Sequence, residues 1–219
     1  SAASDVYKRQ DIPMSRGLGS SAACTVMGVM AAFSVMGKDV DKKEILKIST
    51  EIEGHPDNVY PAIFAGVGVS ILKDGKVYVD KIEVSDKFKF LAIIPEYEIS
   101  TQKAREVLPE TYTKEDTVFN ISRVSMLITS LISGNEDNLK VALDDRIHEP
   151  YRFKLMPEIE KIEKIIDDSK AIGHYLSGSG STIIVVLKSE NESSEEEIRE
   201  GLEKLTNSYQ VKRLDIDKK

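Results

Sequence analysis

The strongest hydrophobic pattern in the chain covers residues 21–36. There Val26, Met27, Val29, Met30, Ala31, Phe33, Val35 and Met36 leave almost no polar side. Such a pattern predicts a helix buried on most faces, and Gly37 suits its C-terminal end. Asp41 then opens a second helix, with Glu44 placed as its capping-box partner. Ile45, Ile48 and Ile52 recur at helical spacing and predict the face this helix buries. Gly54-His55-Pro56-Asp57-Asn58 breaks the pattern and predicts a polar loop. A short apolar stretch, 59–64, precedes a strand at 67–72, which Asp74-Gly75 turns into a hairpin with 77–79.

A second unit begins near Ile82. Residues 88–95 are almost continuously apolar and read as a buried strand. Ser100 or Thr101 caps a short helix that Pro109 stops. Val118, Ile121, Ser125, Ile128 and Ile132 form one stripe of a helix over 118–132. Further helices are predicted at 138–148, 157–166 and 193–207, and strands at 182–187 and 209–216. The order strand, helices, strand, helix, strand predicts an α+β unit with helices on one side of an antiparallel sheet.

Composition narrows the functional classes. The chain has 219 residues, a net charge of −7 and a pI near 5.2, a balance that argues against nucleic acid or an anionic membrane as partner. The longest apolar run is interrupted by Thr25, Gly28 and Ser34 and is too short to span a bilayer. One cysteine, Cys24, excludes a disulfide framework and points to the reducing cytoplasm. His55, His148 and His174 lie far apart and make no zinc spacing.

The chemistry concentrates before the first helix, in Ile12-Pro13-Met14-Ser15-Arg16-Gly17-Leu18-Gly19-Ser20-Ser21-Ala22-Ala23. Two glycines allow close backbone approach, and Ser20 or Ser21 can cap the helix whose first N–H groups then face outward. That arrangement binds anions, and a serine hydroxyl there is a hard oxygen ligand for Mg²⁺. The same residues also serve as a plain turn before a buried helix. The stretch is neither G-x-x-x-x-G-K-[ST] nor G-x-G-x-x-G. At the end of the second helix, Glu51 and Glu53 sit where the helix dipole disfavours carboxylates unless a cation balances them.

Four segments in register resemble the GHMP small-molecule kinases, and within them the homoserine kinases. They are residues 12–23; Glu53-Gly54-His55-Pro56-Asp57-Asn58-Val59 with Pro61-Ala62; Ser100-Thr101 with Ala104-Arg105-Glu106-Val107-Leu108-Pro109; and Leu176-Ser177-Gly178-Ser179-Gly180. The resemblance implies a two-domain α+β fold: the remainder of an N-terminal S5-like domain (11–81) and a C-terminal ferredoxin-like domain (82–219). It implies transfer of the γ-phosphoryl group of ATP to the hydroxyl of L-homoserine, in threonine biosynthesis, with Mg²⁺. Pro13, Ser15, Arg16, Gly17, Leu18, Gly19, Ser20, Ser21, Ala22 and Ala23, with Gly178 and Gly180, would surround the ATP phosphates. Ser21 and Glu51 would hold the metal, with Glu53 as the second choice. Asn58, with His55 and Asp57, would shape the acceptor pocket beside Thr101. Arg105 and Arg152 would grip the substrate carboxylate. Ser21, Glu51, Asn58 and Arg105 are thus the expected catalytic set. Asp57 is expected to orient rather than act as base, the hydroxyl proton passing to the phosphate. The resemblance leaves a homodimer open. Its nearest rivals are another GHMP kinase, such as a mevalonate kinase, and an ATP-binding protein without turnover.

The sequence also departs from the family. Tyr60 stands where Ala is usual, Ala65-Gly66 replaces a glycine pair, and Ser179 and Ser181 replace Ala and Pro. Family members carry strands before the glycine loop, whereas here Gly17 follows a leader, 1–10, without recognisable pattern. The expectation is an N-terminally incomplete kinase, weak or inactive alone, with exposed sheet edges.

Overall fold

A computed structural model describes residues 12–217; the leader 1–10 lies outside the described residues. The N-terminal part contains α1 (Ser20–Val35), α2 (Lys42–Glu53), α3 (Val59–Phe64) and the hairpin of β1 (Val67–Lys73) and β2 (Lys76–Ile82). Asp74 and Gly75 both take positive φ, 51° and 70°, the backbone that a two-residue hairpin turn with matching strand twist requires. Ala22, Val26 and Val29 of α1 pack on Ile45 and Leu46 of α2 and on Val59 and Tyr60 of α3, with Val77 and Val79 of the hairpin against them.

The C-terminal part begins with β3 (Phe88–Pro95), followed by α4 (Thr101–Glu106), α5 (Lys114–Ser133), α6 (Glu136–Ala142), α7 (Glu149–Arg152) and a 3₁₀ turn at Phe153–Leu155. Then come α8 (Ile159–Asp168), β4 (Gly173–Leu176), β5 (Ile183–Lys188), α9 (Ser193–Leu202) and β6 (Tyr209–Leu214). The sheet order is β4-β5-β3-β6, with every pair antiparallel. This β-α-β-β-α-β order is the ferredoxin-like arrangement that the resemblance implies; the pattern predicts three of its strands, and β4, in the glycine-rich stretch 173–180, is the fourth.

Helices lie on both faces of that sheet, not on one. Leu91, Ile93, Ile183, Val185 and Leu187 meet Ile162, Ile166, Ile198 and Leu202 of α8 and α9. The alternate residues Phe88 and Val186 meet α6 through Leu139, while Ala92, Ile94 and Ile184 meet Leu18 of the glycine loop. Burial on two sides is why β3 and β5 are continuously apolar instead of alternating.

Several apolar stripes face differently from expectation. Among the described residues α1 buries one narrow stripe, and Met27, Met30 and Val35 are exposed. On α2 the buried residues are Ile45, Leu46, Ser49 and Thr50, while Ile52 is 63% exposed. On α5 Val118, Ile121 and Ile132 turn outward and Leu127, Ile128 and Leu131 pack inward. The helix expected at 138–148 ends at Ala142, because Asp145 takes the backbone N–H groups of Ile147, His148 and Glu149 and starts a new turn there. Among the described residues β1 and β2 pair only with each other, so each leaves one backbone edge open.

Candidate active site

The glycine loop enters α1 through alternating left-handed residues: Ser15 (φ 54°), Gly17 (75°) and Gly19 (73°). Gly19, and not Ser20 or Ser21, occupies the cap position, with no side-chain cap. The first bond of the helix runs from Ala23 N to Gly19 O (3.0 Å), so the N–H groups of Ser20, Ser21 and Ala22 precede it. All three residues line a cleft of about 430 Å³ between the two parts of the chain. Successive left-handed turns and unpaired N–H groups make this a nest for an anion.

The second glycine segment closes directly on the first. Ser177 Oγ donates to Gly17 O (2.8 Å) and Thr182 N to Arg16 O (3.1 Å). A Cβ on Gly17 would stand 2.0 Å from Ser177 O, so no side chain fits there. Gly178 lines the cleft; Gly180 does not, and its backbone lies against Gly17 instead.

Glu53, at the end of α2, reaches α1. Its Oε1 accepts from Ser21 Oγ (3.1 Å) and Thr25 Oγ1 (2.5 Å). Glu51 is exposed and does not line the cleft, so the expected Ser21–Glu51 pair does not form. Two residues along a helix are about 200° of rotation, and one of the two carboxylates must face away. No group of three or more His, Cys, Asp or Glu side chains suited to a metal occurs among the described residues. A carboxylate and two hydroxyls beside an anion nest are nonetheless the partial oxygen set that suits Mg²⁺, which takes its remaining ligands from phosphates and water.

The loop after α2 contributes Asn58, whose Oδ1 lies 3.1 Å from the position of a Cβ on Gly19. Asp57 Oδ1 binds His55 Nδ1 (2.5 Å) and Asn58 N (2.9 Å), so its oxygen is engaged in holding this loop. Across the cleft, Ser100 caps α4, and Ala104 is fully buried. With that side of α4 held, Thr101 and Arg105, one turn apart, line the cleft together.

Arg152 of α7 also lines it. Its Nε donates to Ala104 O (3.1 Å) and its Nη1 to Gly178 O (2.9 Å), with His148 Nδ1 at 3.4 Å. Burial lowers the pKa of Arg152, and the positive charge of Arg105 adds to that; Tyr112 and Asp145 oppose it. Neither Arg105 nor Arg152 has a carboxylate partner among the described residues. Asp145 supports this arrangement. Burial raises its pKa, but N–H bonds from His148 and Glu149 and the Asn120 amide outweigh that and hold the carboxyl below its ordinary range. Burial likewise depresses His148, against the pull of Asp145. Glu149, behind Arg152, accepts from Leu176 N (2.6 Å), and burial pushes it up to about 7.

The cleft therefore gathers Ser15, Gly17, Gly19, Ser20, Ser21, Ala22, His55, Asp57, Asn58, Thr101, Arg105, Arg152 and Gly178 of the expected residues. Pro13, Arg16, Leu18, Ala23, Gly180 and Glu51 do not line it. Leu18 packs on the sheet, and Arg16 turns its guanidinium to the end of β3. Thr25, Ser179 and the Asn120–Asp145–His148 support enter without having been anticipated. Thr25 was legible as the residue one turn after Ser21; the loop at 143–148 carries no periodic signal.

Comparison with known proteins shows the family to which the fold belongs. Residues 3–66 match the GHMP kinases N terminal domain and residues 127–207 the GHMP kinases C terminal domain. A homoserine kinase of Clostridium botulinum is 42% identical over 208 residues, covering 95% of this chain and 70% of the relative. The chain belongs to the homoserine kinase family. The N-terminal match extends into the first ten residues, which carry no pattern of their own. The crystal structure of homoserine kinase from Cytophaga hutchinsonii superimposes with a TM-score of 0.84 at 27% identity, covering 94% of this chain and 68% of that one. A mevalonate kinase of Methanococcus jannaschii shares the fold at a TM-score of 0.67 and 21% identity, covering 94% and 66%. Homoserine kinases are thus more similar to this chain than that mevalonate kinase is.

Proposed function

We propose that this cleft transfers the γ-phosphoryl group of ATP to the side-chain hydroxyl of L-homoserine. The observation that carries the reading is the pair Arg105 and Arg152, two guanidiniums without carboxylate partners among the described residues, facing an anion nest across one cleft. One end of the cleft suits phosphates and the other a small carboxylate, which a planar guanidinium holds in two-point fashion. The bond formed joins the homoserine oxygen to the γ-phosphorus; the bond broken is the β,γ bridge, and ADP leaves. Such transfer depends on positioning and on charge neutralisation.

The N–H groups of Ser20, Ser21 and Ala22 would hold phosphate oxygens. Glu53, with Ser21 and Thr25, would hold Mg²⁺, which when bound neutralises charge on the β- and γ-phosphates. Asn58 and Thr101 would orient the acceptor. Asp57 is already bonded to His55 and Asn58, which supports an orienting role, with the hydroxyl proton passing to the transferred phosphate. The two family domains divide in this reading near Ile82, where the hairpin ends. No helix among the described residues is long and apolar enough to cross a membrane, and a cytoplasmic kinase acting on free amino acid is the accompanying proposal.

The test is coupled ADP release with homoserine, mevalonate and galactose. Homoserine is expected to give the highest kcat/KM, and equal rates with mevalonate would reject the assignment. Arg105→Ala is expected to raise the homoserine KM at least about tenfold, the loss of one charged hydrogen bond, with little change in the ATP KM. Equal effects on both KM values would remove the carboxylate clamp.

A further inference from the structure

Arg16 belongs to the anion loop by sequence, yet its side chain leaves the cleft. Nε donates to Pro95 O (2.8 Å) and Nη2 to Glu96 O (2.6 Å), two consecutive carbonyls at the end of β3. Nη1 lies 3.1 Å from Glu98 Oε1 and turns back to Met14 O (3.2 Å) in its own loop. The side chain is only 12% exposed. The same residue's carbonyl accepts from Thr182 N, so backbone and side chain both fasten the loop to the C-terminal sheet.

The strand end it grips is the root of the acceptor side. Glu96 N is bonded to Ser208 O, and Tyr97 O accepts from Ser181 Oγ, which ties this segment to β6 and to the second glycine turn. Three residues further on, Ser100 caps α4 and Thr101 and Arg105 follow. One guanidinium thus joins the nest that faces the phosphate donor to the stalk of the helix that faces the acceptor. Lysine could not do the same, because a single ammonium lacks the planar fork that reaches consecutive carbonyls.

We propose that Arg16 is a positioning residue that fixes the donor loop to the acceptor helix and sets the distance between the reacting groups; this rests on the kinase reading above. Displacement by about 1 Å costs on the order of a hundredfold in rate. Arg16→Met is therefore expected to lower kcat about 10- to 100-fold while the KM values for ATP and homoserine each move less than about threefold. Arg16→Lys recovers part of kcat. Amide hydrogen exchange without ligands supplies the second readout. Exchange at Glu96 and Thr182 rises about tenfold or more in Arg16→Met, while the amides between β3 and β5 keep their rates. A rise in the ATP KM alone, with exchange unchanged, would make Arg16 a phosphate ligand and overturn the proposal. A lower Tm with kcat and exchange both unchanged would overturn it too. If Arg16→Met does not fold, Arg16→Lys is read by the same measures. If the wild-type chain does not phosphorylate homoserine, the kinase reading fails, and the exchange measurement still decides whether Arg16 holds the two segments together.

Discussion

Glu51 and Glu53 stand two residues apart at the end of α2, yet only Glu53 reaches Ser21 and Thr25. Helix rotation between them places one carboxylate against α1 and the other in solvent. Glu53→Gln is expected to lower kcat/KM about 10²- to 10³-fold and to raise the Mg²⁺ concentration needed for half-maximal rate, whereas Glu51→Gln stays within about threefold. A Mg²⁺ titration of the steady-state rate distinguishes the two, and the reverse ranking would return the metal to Glu51. The acid at the end of α2 was legible in the sequence, because dipole and composition are local properties. It could not choose between neighbours, since that depends on the rotation with which α2 packs on α1. Arg16 follows the same logic: its membership of the loop was legible, but not the 80-residue reach of its side chain to Glu96.

Among elements, the single turn α7 carries the most consequence for its length. It carries Arg152 to the cleft and buries Glu149, whose carboxyl accepts from Leu176 N at the end of β4. Burial raises the pKa of Glu149 from 4.5 to about 7, opposed by the Leu176 N–H and by His174, and assisted by Asp145 and Glu163. The folded state therefore holds this proton more tightly than the unfolded chain. Its contribution to stability is present below pH 4.5 and is lost as pH rises to about 7. Glutamine keeps the acceptor oxygen without the charge. The stability of Glu149→Gln relative to wild type is thus expected to rise by up to about 3 kcal/mol between pH 5 and 8, measured by urea unfolding. A constant difference across that range would show that the carboxyl does not titrate there. A helix of this length has no period to read, which is why the sequence shows no separate element at 149–152 and runs the preceding helix on to 148. The α5 stripe was misdirected for another reason: apolar residues occur on two sides of that helix, and spacing alone does not say which side meets the sheet.

At the scale of the whole molecule, α1, α2 and α3 keep a core apart from the one under α8 and α9, and the two parts meet through Leu18, Val67 and the side chain and carbonyl of Arg16. Three strands of the antiparallel sheet and most of its helices were legible because they alternate with clear breaks; β4 was not, since its four residues lie in the glycine-rich stretch 173–180. The second layer on that sheet was not, since it draws on Leu18 from far along the chain. The departure at Tyr60 also resolves at this scale. The ring is buried, stacks on Phe64 with centroids 5.2 Å apart, and lies over Gly68 of β1, where a Cβ would come within 2.3 Å of it. Gly68→Ala is expected to cost about 1–3 kcal/mol, seen as a lower Tm, and to cost much less in a Tyr60→Ala background. Undiminished cost in that background would place the strain elsewhere.

The contact of Gly17 with Ser177 spans 160 residues. A ribosome making this chain delivers the donor loop early but the turn that closes over it on the order of ten seconds or more later. Until residues 177–182 have emerged, the carbonyls of Arg16 and Gly17 lack the partners that close over the loop, even with the Arg16 side chain already on Pro95 and Glu96. If the loop binds nucleotide as proposed, that binding is acquired late in synthesis, and a nascent chain stalled before that turn would carry the motif without the fold that completes it.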